Sequence, residues 1–181
     1  MQWRNNKQRY GLMAIGLHWL VAITVFGMFI LGLWMTSLTL FHPWYERAPA
    51  LHKGIGLLLF AVMVVRLAWR LSNPRPEALA THSRFERTAA SLVHGLLYLL
   101  LFAVMIAGYL ISTADGRPIE IFGLVSISAT LTSIPDQEDV AGTIHLVLAI
   151  ILIVLALLHA GAALKHHFVD RDNTLRRMLG R

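Results

Sequence analysis

The sequence predicts an all-α integral membrane protein folded as a four-helix bundle, on the strength of three observations. The chain is 56% hydrophobic and 14% charged, with a mean hydropathy of +0.61. Four apolar segments each reach roughly 20 residues, the length that a spanning helix needs. One of these segments contains two histidines, His145 and His159. Ionisable side chains are costly inside a membrane, which makes these histidines functional candidates.

We expect a single domain over residues 1–181, with spanning helices at approximately residues 11–38, 51–71, 88–112 and 140–164. The first segment is too long for a cleaved signal peptide, and no small-residue cleavage motif follows it, so it should remain as a helix. The second segment is the least regular, because Lys53 and Arg66 lie inside it. Arg66 is about one turn from its end, from which a long side chain can reach the interface.

The basic residues lie mainly at one end of the predicted bundle. All but three of the 16 Lys and Arg residues belong to the terminal segments, the second connection or Arg66. The exceptions at the opposite end are Arg47, Lys53 and Arg117, and that end also holds six carboxylates. The positive-inside rule therefore predicts that both termini are cytoplasmic. Because the basic residues lie at one end of the bundle, we interpret the net charge of +6 as favouring contact with membrane lipid. We do not expect a nucleic-acid partner.

The spacing of histidines in the fourth segment predicts two ligand positions on one helix face. His145 and His159 are 14 residues apart, which is a rise of about 21 Å and about 40° short of four turns. His18 lies at the depth of His159 near the cytoplasmic side, and His52 lies at the depth of His145 near the periplasmic side. Each pair could hold one iron between two imidazoles. The sequence therefore predicts two haems b.

His94 is an alternative ligand on the cytoplasmic side. It begins the third segment at roughly the depth of His18 and His159, so it could replace one of them. We favour a place beside the haem, because the spacing from His145 already assigns His159 to ligation. A single histidine in a membrane helix can also be a hydrogen-bond partner or a proton relay. Four histidines at two matched depths favour ligation over that reading.

The remaining histidines carry weaker signals. His42 and His82 lie in connections and should be solvated, whereas His166 and His167 follow Lys165 at a helix carboxyl terminus, where cations are favoured. The sequence has no H-x-x-x-H or H-E-x-x-H spacing, so we do not expect zinc. It also has no cysteine, which excludes c-type haem attachment, iron–sulfur clusters and disulfides.

Cationic side chains near the haem histidines are candidates for binding haem propionates. The candidates are Arg66, Arg70, Lys165 and His166 on the cytoplasmic side, and Lys53 and Arg47 on the periplasmic side. Lipid headgroups could hold the same side chains instead. A quinone near the inner haem would need a proton donor, and His94, Lys165 or His166 could serve.

Five motifs together carry a family resemblance. They are GLHWL at 16–20, LHKGIG at 51–56, HGLLY at 94–98, LHAGAALKHHF at 158–168 and DNTLRRM at 172–178. With these motifs the sequence resembles the bacterial cytochrome b561 family, dihaem cytochromes of the inner membrane. The resemblance covers essentially the whole chain. It implies axial ligation by His18 and His159 on the cytoplasmic side, and by His52 and His145 on the periplasmic side.

The resemblance also implies an oxidoreductase activity. At least one member of the family passes electrons from periplasmic superoxide through two haems to ubiquinone. An alternative is a membrane-anchor electron carrier that serves a partner redox protein. A second alternative, suggested by histidines inside spans, is a haem-free proton relay or transporter.

Overall fold

The computed structural model describes residues 2–79, 81–132 and 134–180. Within these ranges the elements are α1 (Leu12–Thr36), α2 (Arg47–Ser72), α3 (Arg84–Ser112), β1 (Ile119–Ile121), β2 (Val125–Ile127), α4 (Gln137–Phe168) and α5 (Thr174–Met178). The four longest helices, α1 to α4, are long and apolar enough to cross a membrane. The predicted all-α class with four spans is therefore confirmed. Arg181, which contributed to the predicted charge distribution, lies outside the described residues.

Two helices begin earlier than the apolar segments suggested. α2 begins at Arg47, because Pro49 falls in its first turn, where a missing N–H breaks no helical hydrogen bond. α3 begins at Arg84 after a capping box: the Ser83 hydroxyl accepts from the Glu86 backbone N–H at 3.2 Å, and the Glu86 carboxylate accepts from the Ser83 N–H at 2.8 Å. Both helices therefore begin before their apolar segments, α3 with a side-chain cap and α2 without one.

α4 is longer than predicted at both ends. It spans Gln137–Phe168, where residues 140–164 were expected. Its first turn carries Glu138 and Asp139 and its last turn carries Lys165, His166 and His167, an arrangement that complements the helix dipole. The apolar segment therefore marks the part suited to the lipid core, and the helix continues into the polar boundary on each side.

A small apolar core joins the four long helices. α3 packs mainly on α4 and α1 mainly on α2, and α2 also contacts α3. The buried core residues are Val21, Val25, Leu59, Met63, Leu101, Val104, Leu152 and Ile153. Large apolar side chains remain exposed on the outside of the bundle, for example Ile23, Leu99 and Leu158. Such a surface is suited to lipid and not to water.

The amino-terminal segment, the α2–α3 connection and α5 contact one another at one end of the bundle, which we call the terminal end. Trp19 Nε1 donates to the Met178 carbonyl at 2.8 Å. The Glu77 N–H donates to the Lys7 carbonyl at 2.8 Å, and Arg177 Nη1 donates to the Glu77 carbonyl at 2.7 Å. Both terminal segments thus lie at the same end, as four spans require. Their cytoplasmic location stays a prediction.

A β-hairpin that sequence analysis did not predict lies at the opposite end, which we call the hairpin end. β1 and β2 pair antiparallel, with Ile119 opposite Ile127. Phe122 in the turn has a positive φ of 51°, and its ring packs on Gly54 of α2. A Cβ at Gly54 would lie only 2.9 Å from that ring, so the glycine permits the contact. The hairpin therefore covers α2 two residues from His52.

Candidate functional site

Two histidine pairs lie at two levels of the bundle. The ring centroids of His18 in α1 and His159 in α4 are 6.4 Å apart. The centroids of His52 in α2 and His145 in α4 are 6.1 Å apart. All four side chains are half-buried. The structure therefore brings together both predicted partners, which we call the inner pair (His18–His159) and the outer pair (His52–His145).

The separation of the rings suits a metal ion between them. A metal–nitrogen distance of about 2.0 Å on each side, with each ring centre roughly 1 Å beyond its nitrogen, places the two centroids about 6 Å apart. Both pairs match this value. His94 lies closer to His159, at 5.1 Å between centroids. That spacing is about 1 Å too short for two imidazoles on opposite sides of one metal ion, so His94 is placed beside the inner pair.

In the outer pair, a backbone group of α3 holds His145. His145 Nδ1 lies 2.8 Å from the Val104 carbonyl, which can only accept, so Nδ1 carries the proton and Nε2 is free to bind a metal. The buried Nδ1 of His52 has no hydrogen-bond partner among the described residues. A carbonyl that fixes the tautomer of a ligating histidine is a frequent feature of metal centres.

Two glycines let these imidazoles lie directly against a helix. A Cβ at Gly108 would lie 3.0 Å from His145 Cε1, and one at Gly32 would lie 3.3 Å from His52 Cε1. Sequence analysis identified neither glycine. The depth of each residue in its helix could have identified both glycines. Gly32 and Gly108 lie near the ends of α1 and α3. His52 and His145 lie at the same level, near the starts of α2 and α4.

The inner pair is flanked by cationic side chains of α2. Arg66 Nη2 lies 2.9 Å from His18 Nδ1, and because a guanidinium can only donate, this contact is a hydrogen bond only when Nδ1 is unprotonated. The Arg66 guanidinium also lies 5.5 Å from the centre of the Tyr98 ring, and that of Arg70 lies 5.1 Å from it. Two of the predicted propionate partners therefore lie on one aromatic ring beside the inner pair.

The other cationic candidates have different surroundings. Lys165 Nζ donates to Asp170 Oδ2 at 2.8 Å, and His166 Nδ1 lies 2.8 Å from the same oxygen. Lys53 is exposed at the hairpin end, where it lines a cavity of about 720 Å³ together with Glu46 and Glu120. Arg47 is also exposed at that end. Lys165 is therefore hydrogen-bonded to a carboxylate and His166 lies close to the same one. Lys53 lines a cavity with two other carboxylates.

The expectation that His82 is solvated is wrong. Its side chain is 17% exposed, and its Nε2 lies 2.8 Å from Asp172 Oδ2. The α2–α3 connection folds back onto the end of α4, a long-range contact that no local pattern predicts. Burial raises the pKa of Asp172, but hydrogen bonds from Thr174 and His82 outweigh it, so this pKa lies below its usual value. His42 is exposed, as expected.

Four membrane helices that place imidazole pairs at two levels have the arrangement of a membrane cytochrome b. The family model described as "Prokaryotic cytochrome b561" matches residues 9–181. The chain therefore belongs to the prokaryotic cytochrome b561 family. It is a multi-pass protein of the inner membrane, and its family consists of haem-binding electron-transfer proteins.

Individual relatives match along almost their whole length. The chain is 50% identical over 181 residues to "Cytochrome b561 homolog 2" of Escherichia coli (strain K12), which covers 100% of this chain and 96% of that protein. It is 31% identical over 176 residues to "Probable superoxide oxidase CybB" of Yersinia pestis, and the match covers 95% of this chain and 96% of that protein. It is 29% identical over 177 residues to "Cytochrome b561 homolog 1" of Escherichia coli (strain K12), and the match covers 96% of this chain and 98% of that protein.

Proposed function

We propose that the chain holds two b haems, one between His18 and His159 and one between His52 and His145. The observation that carries the proposal is the centroid separation of 6.4 and 6.1 Å in two pairs at two levels of one bundle. When bound, the two haems supply one-electron transfer between the two membrane faces. Membership of a haem-binding family argues against the haem-free relay.

The polypeptide orients the histidine ligands and excludes water from the space between the two pairs. The Val104 carbonyl fixes the tautomer of His145, and Gly108 lets its ring lie close to α3. Along α4, Leu152 and Ile153 are buried in the apolar core between the levels of His145 and His159. This core keeps water out of the space between the two pairs.

Arg66 is the cation best placed for an inner propionate. If His18 ligates through Nε2, its Nδ1 keeps a proton, and this proton would face the Arg66 guanidinium, itself a donor. The guanidinium then needs another acceptor, and a carboxylate such as a propionate supplies one with suitable geometry. Arg70, held beside Arg66 on Tyr98, is the second candidate.

We propose superoxide as the periplasmic donor and ubiquinone as the acceptor. Two superoxide ions give up one electron each to form dioxygen, and ubiquinone takes two electrons and two protons to form ubiquinol. The name of one relative, "Probable superoxide oxidase CybB", supports this donor. His94 is the favoured proton donor, because its ring lies 5.1 Å from that of His159 in the inner pair. Lys165 is hydrogen-bonded to Asp170, and His166 lies about two turns beyond His159.

A second candidate function is that of an electron carrier for a partner redox protein. Lys53 shares its cavity with Glu46 and Glu120, which weaken the positive potential that an anionic donor needs. Purification without a partner, with retained quinone reduction, would favour the oxidase. Dependence of quinone reduction on an added redox protein would favour the carrier.

Replacing Lys53 with glutamate tests the anionic donor. Lys53 adjoins the outer ligand His52, so charge reversal should slow reduction of the purified protein by superoxide roughly three- to tenfold at low ionic strength. Added salt should slow the wild type. The measurement is stopped-flow absorbance at the haem bands. Arg117→Glu, the same charge change at an exposed site of the hairpin end, is the matched control. Equal rates in wild type and Lys53→Glu would contradict an electrostatic entry site there.

Replacing Gly108 with alanine tests the close approach of His145 to α3. The added methyl would lie 3.0 Å from His145 Cε1, so the imidazole has to shift. We expect the haem-to-protein ratio to fall from two toward one during mild heating, at a temperature at which the wild type keeps both. Gly142→Ala, whose Cβ would have nothing within 4 Å, is the control and should behave as the wild type. Equal haem loss in the two variants would contradict the proposed contact.

A further inference from the structure

Three side chains from distant parts of the chain meet at the terminal end. They are His82 in the α2–α3 connection, His166 near the end of α4 and Asp172 in the segment after α4. Each can offer one metal-ligand atom, and these three atoms all lie within 4.8 Å of one another. His82 Nε2 is 2.8 Å from Asp172 Oδ2, and His166 Nδ1 is 3.4 Å from the same oxygen. The two imidazole centroids are 4.7 Å apart.

One ligand atom of this cluster lacks a good hydrogen bond. His166 Nδ1 is buried, and although Asp170 and Asp172 lie within 4 Å, neither contact has hydrogen-bond geometry, so the nitrogen has no such partner among the described residues. Buried polar atoms are normally satisfied, and an exception points to an ion or a water. The cluster is separate from the inner pair, because His166 lies two turns beyond His159 along α4.

We propose that His82, His166 and Asp172 bind a divalent transition-metal ion at the terminal end of the bundle. Two imidazoles and a carboxylate are the ligand set of many three-ligand zinc sites, in which a water completes the coordination. In a tetrahedral site the ligand atoms lie about 3.3 Å apart. Small shifts of the three side chains therefore suffice to close around an ion. Bound metal would fasten the α2–α3 connection to the end of α4.

A second possible group shares His166 but is less suited to a metal. It contains Glu86 and Asp170 with His166. The Glu86 carboxylate already caps α3, and Asp170 already accepts from Lys165. Asp172 has a side chain that is only 5% exposed, and its other oxygen is fixed by the Thr174 N–H at 2.7 Å. These contacts preorganise Asp172 as a ligand.

The test is zinc binding by the intact, haem-loaded protein, purified without a polyhistidine tag. After treatment with a chelator and equilibrium dialysis against Zn²⁺, elemental analysis gives zinc and iron per chain in one measurement. We expect one zinc per chain, with iron unchanged. His82→Ala should weaken zinc binding at least about tenfold, since loss of even an outer partner of a ligand costs that much. His42→Ala, an exposed histidine at the opposite end, should bind zinc as the wild type does.

Either of two results with the wild type or His82→Ala overturns the proposal. One is the absence of stoichiometric zinc in the wild type, and the other is wild-type zinc affinity in His82→Ala; in either case the cluster is only a hydrogen-bonded ion pair. If His82→Ala loses iron as well as zinc, Asp172→Asn decides, because it keeps the side-chain shape, and unchanged zinc affinity there overturns the assignment. Zinc loss in Asp170→Asn but not in Asp172→Asn would also overturn it, in favour of the second group.

Discussion

Replacing His145 with alanine is expected to halve the haem content, from two haems per chain to one. The ring centroids of His145 and His52 are 6.1 Å apart, and loss of either imidazole would leave the proposed outer haem with one protein ligand in a half-buried site. His52→Ala should therefore give the same result. The inner haem should stay, because its proposed ligands are 14 residues along α4 and on α1. A pyridine haemochrome assay against protein concentration measures the ratio.

His42→Ala controls for the loss of an imidazole at the same end of the bundle, because His42 is exposed and should leave both haems in place. The spectroscopic form of the remaining haem gives a second test. It should stay six-coordinate and low-spin, as bis-histidine ligation requires. Retention of two low-spin haems in either His145→Ala or His52→Ala would show that the outer pair is not the ligand set.

The spans and the histidine pairs could be predicted because each depends on one-dimensional regularities. Apolar length fixes which segments can cross a bilayer, and helical rise fixes the depth of a side chain within each segment. Depth matching alone was therefore enough to predict that His18 faces His159 and that His52 faces His145. The same reasoning did not decide whether His94 is a ligand, because depth in the membrane does not give the lateral distance between two side chains. The structure gives that distance: the ring centroids of His94 and His159 are 5.1 Å apart, which places His94 beside the inner pair.

The features that sequence analysis missed depend on contacts between distant segments. The hairpin packs its Phe122 ring on Gly54, and neither residue signals the other along the chain. His82 meets Asp172 across 90 residues because the α2–α3 connection folds onto the end of α4. Metal-site patterns such as H-x-x-x-H detect ligands on one helix, and they cannot detect a cluster assembled from three segments. Helix ends were also missed by a few residues, because capping and dipole effects act outside the apolar segment.

His159→Ala is expected to abolish quinone reduction while the outer haem can still be reduced from the periplasmic side. His159 is the α4 ligand of the proposed inner haem, so its loss interrupts the path between His145 and the terminal end. The outer pair does not include His159, and its geometry rests on Val104 and Gly108. Quinol formation and the reduction of the haem bands are measured in the same sample, with His42→Ala as the control.

His94→Ala separates the ligand role from a role beside the haem. At 5.1 Å from His159 its ring is too close for an iron between the two, so the variant should keep both haems. Quinone reduction should slow, because we propose His94 as the proton donor, and the slowing should vary with pH. Loss of the inner haem from His94→Ala, with its retention in His18→Ala, would make His94 the ligand in place of His18.

Continued quinone reduction in His159→Ala would contradict the preceding prediction. Electrons would then reach quinone without crossing the apolar core, so the quinone site would not lie at the inner pair.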